Sequence, residues 1–256
     1  MAKTNNLTDF LTSLAAKFRA KLGTSGTINP QDFESKVDDV FDAGKKSEYD
    51  AFWDAYQSNG TRTDYYNAFA GKGWTQTNLK PKYVARPSEA RNMFYQSTGI
   101  TDLTLTGKFD FSAVTAISDC MAWSSVTKVP SINLSNARSS PNAIAKAKSL
   151  VTVENLIFPT SPFTESVSEF FLVCNALENI TITGTIQNTG FDLHWSTKLT
   201  IESLTSILTA LSKDSSVAAG KSITFPTAAQ AKIQADTTAK GQYDAAIAAG
   251  WTIAFS

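Results

Sequence analysis

Apolar residues along the middle of the chain recur at intervals of three and then close on an alternation of two. The pattern reads Phe94-x-x-Ser97-x-x-Ile100-x-x-Leu103-x-Leu105 and, later, Phe171-x-x-Cys174-x-x-Leu177-x-x-Ile180-x-Ile182. Between them lie Cys120-x-x-Trp123-x-x-Val126-x-x-Val129 and Ala147-x-x-Leu150-x-x-Val153-x-x-Leu156-x-Phe158. Set on Ile100, Val126, Val153 and Leu177, the ladders repeat with steps of 26, 27 and 24 residues. A period of that length predicts a solenoid, in which each unit covers an apolar face that it could not bury alone. Each ladder ends in a short predicted strand, at 101–105, 127–132, 154–158 and 178–182. Alternation aims Leu103, Leu105, Ile180 and Ile182 inward. It leaves Asp102, Thr104, Asn155, Ile157, Asn179 and Thr181 on the outer face of a parallel stack, the expected binding face. Pro130 interrupts the second strand and fits only where no ladder donor is needed.

The flanks carry helical periods. Leu7, Phe10, Leu11, Leu14, Phe18 and Leu22 form one apolar stripe, predicting a helix over 7–22 that stops at Gly23. Asn29-Pro30 starts a second helix with the stripe Phe33, Val37, Val40 and Phe41, which ends by Gly44. Together they predict a helical hairpin, with Phe10, Leu14, Phe18, Phe33 and Val37 as its assembly face. Residues 47–74 are rich in aromatic side chains, four of them on one helical face, with a further short helix expected at 64–70. They read as a cap over the first repeat. Pro81 and Pro87 bracket an extended linker, and the repeats begin near Ala90. Beyond 184, Thr200 caps a helix carrying Ile201, Leu204, Ile207, Leu208 and Leu211. A strand at 222–225, helical residues from Ala228 to before Gly250 and a closing strand at 251–255 complete the prediction. The expected divisions are therefore 1–45, 46–89, 90–183 and 184–256, in an α/β fold: a short repeat solenoid with parallel strands, an N-terminal helical hairpin and an α/β C-terminal cap.

Charge narrows the partners. The 23 basic and 23 acidic residues balance, and nothing in that balance recruits nucleic acid, whose binding needs a basic patch or stripe. No run approaches the roughly 18 to 20 apolar residues of a membrane span, and the interrupted pattern at the start is not that of a secretory signal. Cys120 and Cys174 are the only cysteines, and Cys174 falls in the ladder slot of Ser97, Trp123 and Leu150, as a small buried thiol would. One histidine with two distant cysteines does not make a zinc site, and no cofactor motif is present. His194, the sole histidine, is the only base a Ser/His/Asp triad could use, and no Gly-x-Ser-x-Gly elbow accompanies it. Glu154 and Glu178 occupy equivalent ladder positions, so a pair of glycosidase carboxylates is the one enzymatic alternative; a repeated exposed position is the simpler account.

The ladder from Phe171 to Ile182, with its match from Phe94 to Leu105, resembles the BspA-like (Treponema-type) leucine-rich repeat. Such repeats occur in bacterial surface proteins and in structural proteins of tailed phages. Residues 7–23 and the run Ile28-Asn29-Pro30-Gln31-Asp32-Phe33 are similar to a helical module that opens many phage minor structural and tail proteins. Phe52-Trp53-Asp54-Ala55-Tyr56 and Ala249-Gly250-Trp251-Thr252-Ile253 resemble other parts of them. The resemblance implies a non-enzymatic virion protein of tail, fibre or head-decoration type with leucine-rich repeats, made in the host cytoplasm. Its partners would be other virion proteins, further copies of itself, and a host-surface glycan or protein. A bacterial adhesin or scaffold carrying the same repeats is the alternative.

Overall fold

The computed structural model describes residues 6–22, 50–53, 56–57, 61–71, 73–105, 107–137, 142–159, 167, 169–187, 190–214 and 221–256. The second predicted helix, with Phe33 and Val37, lies outside them. The chain divides into two compact units, Met1–Tyr56 and Gln57–Ser256. In the first, helix α1 (Asn6–Leu22) forms where the periodicity predicts it, with Leu14 half-buried. In the second, helices combine with strands that pair in parallel.

Three columns of parallel pairing run through the second unit. In one, Asp102 pairs with Lys128, Lys128 with Thr152 and Thr152 with Asn179. In another, Phe111 pairs with Ile132, Ile132 with Leu156 and Leu156 with Ile182. The third has no strand at all. Residues 65–71, 90–97, 117–124, 142–147 and 169–174 are chains of tight turns whose N–H groups divide two tasks. Alternate ones close i to i+3 turns, such as Met93 N to Ala90 O and Tyr95 N to Asn92 O. Those between reach the next segment, such as Phe94 N to Cys120 O and Gln96 N to Ala122 O. In 65–71 and 90–97 each backbone N–H is used without a regular ladder, Tyr66 N and Arg91 N by donating to the Asp64 and Glu89 carboxylates. The path needs a left-handed residue at regular places, and φ is positive at Asn67, Asn92, Asp119 and Asn142, where Asn and Asp tolerate it best.

These pairings correct several expectations. Residues 64–70 are turns and not a helix, and they belong to the stack, since Asp64 pairs with Glu89 and Glu89 with Ala116. Pro81 and Pro87 are buried, with Ala85 between them paired to Phe109, so no linker runs there and the pairing begins well before Ala90. Val153 pairs with Val129, which makes Leu150, not Val153, the partner of Val126 and Ile100. The three-residue spacing is self-similar, so a ladder slips by one rung without visible penalty in sequence. The strand expected at 101–105 contracts to one bridge at Asp102, and Leu105 is 71% exposed instead of inward. Pro130 divides the next strand into β1 (Lys128–Val129) and β2 (Ile132–Asn133). β3 (Thr152–Ile157) and β4 (Asn179–Thr183) form as expected, with Ile180 and Ile182 buried. β3 carries a bulge between Val153 and Leu156, so both of these residues face inward although three positions separate them.

The core is aromatic towards the start of this unit, where Phe69 stacks on Phe94 at 5.2 Å and Phe109 meets both rings edge-on. Phe158, Phe170 and Phe171 gather around Phe191 further along. Gly99 is required where it stands: a Cβ there would collide with the Trp74 carbonyl of the segment paired to it.

After β4 the pattern changes. Thr200 caps α2 (Ile201–Ser212), its hydroxyl accepting from Ser203 N, and Leu204, Ile207, Leu208 and Leu211 of the predicted apolar face are buried while Ile201 is half-buried. β5 (Ser222–Phe225) and β6 (Thr252–Phe255) pair in parallel across α3 (Thr227–Ala235) and α4 (Thr237–Ala248). The helical stretch expected as one is two, because Asp236 leaves the helical region and caps α4 by accepting from Ala239 N at 2.8 Å. Lys221, just before β5, is almost fully buried. It donates to Asp214 O and Ala249 O and lies 3.1 Å from the equally buried Asp214 carboxylate.

Candidate functional site

The expected binding residues take unequal places. Asp102 and Asn179 stand at the two ends of one row, Asp102–Lys128–Thr152–Asn179, each member on a successive segment. Asn179 and Thr181 are exposed, while Asp102, Thr104, Asn155 and Ile157 are half-buried. Asp102 is committed locally, its carboxylate accepting from Thr104 N at 2.7 Å and from the Thr104 hydroxyl at 2.6 Å. Asn155 lies in the β3 bulge and accepts from the Thr183 hydroxyl at 3.0 Å. Asn179, Thr181 and Thr183 alternate with buried Ile180 and Ile182, so β4 presents a clean polar edge-to-edge surface. What the row offers chemically is hydrogen bonding at a regular interval of about 4.8 Å.

The groups with catalytic potential are separated. Thr152 pairs with Asn179, which sets Glu178 beside Val151 and leaves Glu154 in the bulge. The two glutamates are therefore not equivalent in the stack, contrary to the sequence alignment, and Glu178 lies 3.9 Å from Lys198. His194 Nδ1 is 2.5 Å from Asp192 Oδ1, which also accepts from His194 N at 3.0 Å. Among the described residues no three His, Cys, Asp or Glu side chains converge as metal ligands. Cys120 and Cys174 are both free and buried. Burial pushes the Cys174 thiol up to about 12 and the Cys120 thiol higher still. Cys174 shares its slot with Ser97, Ser124 and Ala147, small residues at the end of each turn chain, and its thiol points at Ile144 O, as the Ser97 hydroxyl donates to Phe69 O. A shallow open depression of about 420 Å³ lies between the starts of α2 and α4, lined by Glu202, Thr205, Ser206 and Asp236.

Sequence reasoning missed the exposed aromatic residues. Trp123, expected inside the ladder, is 49% exposed, and Trp195 is 42% exposed. Ser124, one position later, fills the buried slot. The Lys146 ammonium lies 4.8 Å from the Trp123 ring centroid, and His194 packs on Trp195 at 4.6 Å. The signal that could have found Trp123 is its distance of four residues from Asp119, the spacing at which left-handed residues recur. No family model matches the chain, and no curated protein or solved structure matches it either. No helix among the described residues is long and apolar enough to cross a membrane.

Proposed function

We propose that the chain is a non-enzymatic structural component of a phage virion, a tail, fibre or head-decoration protein. In this reading its parallel stack is a short solenoid of BspA-like leucine-rich repeats that binds a host surface or neighbouring subunits. The observation that carries the reading is the row of polar residues, one per segment, from Asp102 through Lys128 and Thr152 to Asn179, continued by Thr181 on β4. A flat face repeated in many copies on a particle binds through avidity, so each copy needs only a weak contact. The helix stripe of Phe10, Leu14 and Phe18, with Phe33 and Val37, is the proposed attachment and self-association module. Further support is the resemblance of residues 7–33 to the helical module of phage tail proteins.

The test is mass spectrometry and cryo-electron microscopy of purified particles from the source. Ordered copies with the first unit against the particle and the row outward are the expected result; absence from the particles would overturn it and leave a host binding scaffold. A Thr152→Lys, Asn179→Lys, Thr181→Lys variant is expected to lose target binding while its thermal unfolding stays unchanged. Unaltered binding would exclude this face.

A further inference from the structure

Five turns in successive segments close with the same i to i+3 hydrogen bond. Ser97 N bonds Phe94 O, Ser124 N bonds Met121 O, Ala147 N bonds Ile144 O, Cys174 N bonds Phe171 O and Ser196 N bonds Leu193 O. The residue before each donor is Gln96, Trp123, Lys146, Val173 and Trp195. Gln96 N, Trp123 N and Lys146 N reach Ala122 O, Ala145 O and Leu172 O of the next segment, and the Ser196 hydroxyl donates to Cys174 O, so the five follow one column. Four of them hold a left-handed backbone, with φ of 55°, 60°, 62° and 61° at Gln96, Trp123, Lys146 and Val173. Gly71 occupies the corresponding place in the first segment, where the conformation is free of strain. A bulky tryptophan where glycine fits better, and half in water, is an outlier that points to a use.

We infer that this column binds an oligosaccharide, with sugar rings lying on the Trp123 and Trp195 indoles. The two tryptophans stand three segments apart, about 14 Å at about 4.8 Å per parallel pairing, the span of a short oligosaccharide. They are separate platforms with Lys146 between them, not the contiguous apolar patch that a protein partner would cover. A pyranose ring has an apolar C–H face for each indole and a hydroxyl edge for the polar groups beside it. Those groups are present. The Lys146 ammonium lies over the Trp123 ring, 4.8 Å from its centroid, so a sugar stacking on that face displaces this flexible side chain onto the sugar's hydroxyl edge. His194 has Nδ1 tied to Asp192, which leaves Nε2 to meet a hydroxyl. Asp119 and Asn142 open the turns just before, which Ala122 and Ala145 close. This face is distinct from the strand row above, and the inference holds whether or not the chain sits in a particle.

The experiment is a fluorescence titration of the full chain with two probes, the β-1,4-linked tetramers of glucose and of N-acetylglucosamine. Trp53, Trp74 and Trp251 are buried, so a change in emission reports Trp123 and Trp195. A saturable shift with at least one tetramer is expected, weakened about tenfold or more in W123A and in W195A. Circular dichroism shows whether each variant stays folded, and a K146Q variant, which keeps the surface polar, serves as a milder second probe. No saturable change with either tetramer up to millimolar concentration overturns the inference, as does binding that survives in the W123A/W195A double variant. Loss of sugar binding with virion incorporation intact would leave the display reading standing, and the reverse would leave only this one.

Discussion

Val173 shows how much a single backbone angle weighs in this chain. A β-branched residue at φ 61° is a steric outlier, and the left-handed region costs an L residue roughly 1–2 kcal/mol. Val173→Asn is therefore expected to stabilise the protein by about 1 kcal/mol, read as a higher midpoint in thermal unfolding. An unchanged or lower midpoint would show that the valine side chain packs well enough to offset the angle. The cysteines give a second test at this scale. Burial holds both thiols protonated well beyond neutral pH, with Cys174 pushed up to about 12, and only the thiolate reacts. A disulfide reagent at pH 8 should label neither in the native protein and both of its 2 cysteines in denaturant. Rapid native labelling at either position would contradict the burial.

At the scale of elements, the two ends of the strand row are closed by side chains that imitate a neighbouring strand. Before the first segment of the row, the Gln76 amide accepts from Asp102 N and donates to Asp102 O. Gln57 does the same for Tyr83 N and O. Beyond β4, the Ser203 hydroxyl accepts from Ile180 N at 3.0 Å and donates to Glu178 O, and the Ser206 hydroxyl accepts from Ile182 N at 2.8 Å. The i to i+3 spacing of a helix thus meets the alternation of a strand. An open strand edge invites pairing with another chain, and these contacts satisfy it. Replacing Ser203 and Ser206 together by alanine leaves two amides without partners, at about 1–3 kcal/mol each. Faster hydrogen exchange at Ile180 and Ile182 than at Val153 is the expected signature; equal protection would mean that α2 closes the edge by packing alone.

At the scale of the whole molecule, the second unit depends on a polar tie at its far end. Lys221 joins Asp214, after α2, to Ala249, at the end of α4, almost entirely out of water. Lys221→Met should cost about 3–5 kcal/mol, because it strips a buried carboxylate of this cation. Adding Asp214→Leu should restore most of the loss in the unfolding midpoint; a milder single variant would mean that water reaches Asp214. Acid tests the surface charges. The Arg91 hydrogen bond holds Glu89 below its ordinary value, and hydrogen bonds from Ser112, with Arg86 beside, do so for Asp110. Both groups contribute stability above the unfolded carboxylate range of about 4, lost as pH falls through the depressed values. Asp119, raised chiefly by burial, acts in the opposite sense and gains on protonation. Stability measured by denaturant should therefore fall most steeply below about pH 4.

Local pattern determined a good deal by itself. Helix α1, the buried face of α2, the Thr200 cap, β3, β4 and β5, and the inward places of Leu103, Ile180 and Ile182 all follow from periods of 3.6 and 2 that neighbouring residues carry. Only the tertiary structure decided which rung of one ladder meets which rung of the next. A repeat spaced by threes fits itself at several offsets, and the choice falls to distant contacts such as Val129 with Val153 and Gly99 against Trp74. The same choice put Ser124 inside and Trp123 in water, took Glu154 away from Glu178, and set Trp123 and Trp195 on one column. Turn chains mark a hydrophobic pattern only as a spacing of three, which does not fix which residue faces inward. Their side chains are sorted by backbone angles that form only when the segments stack.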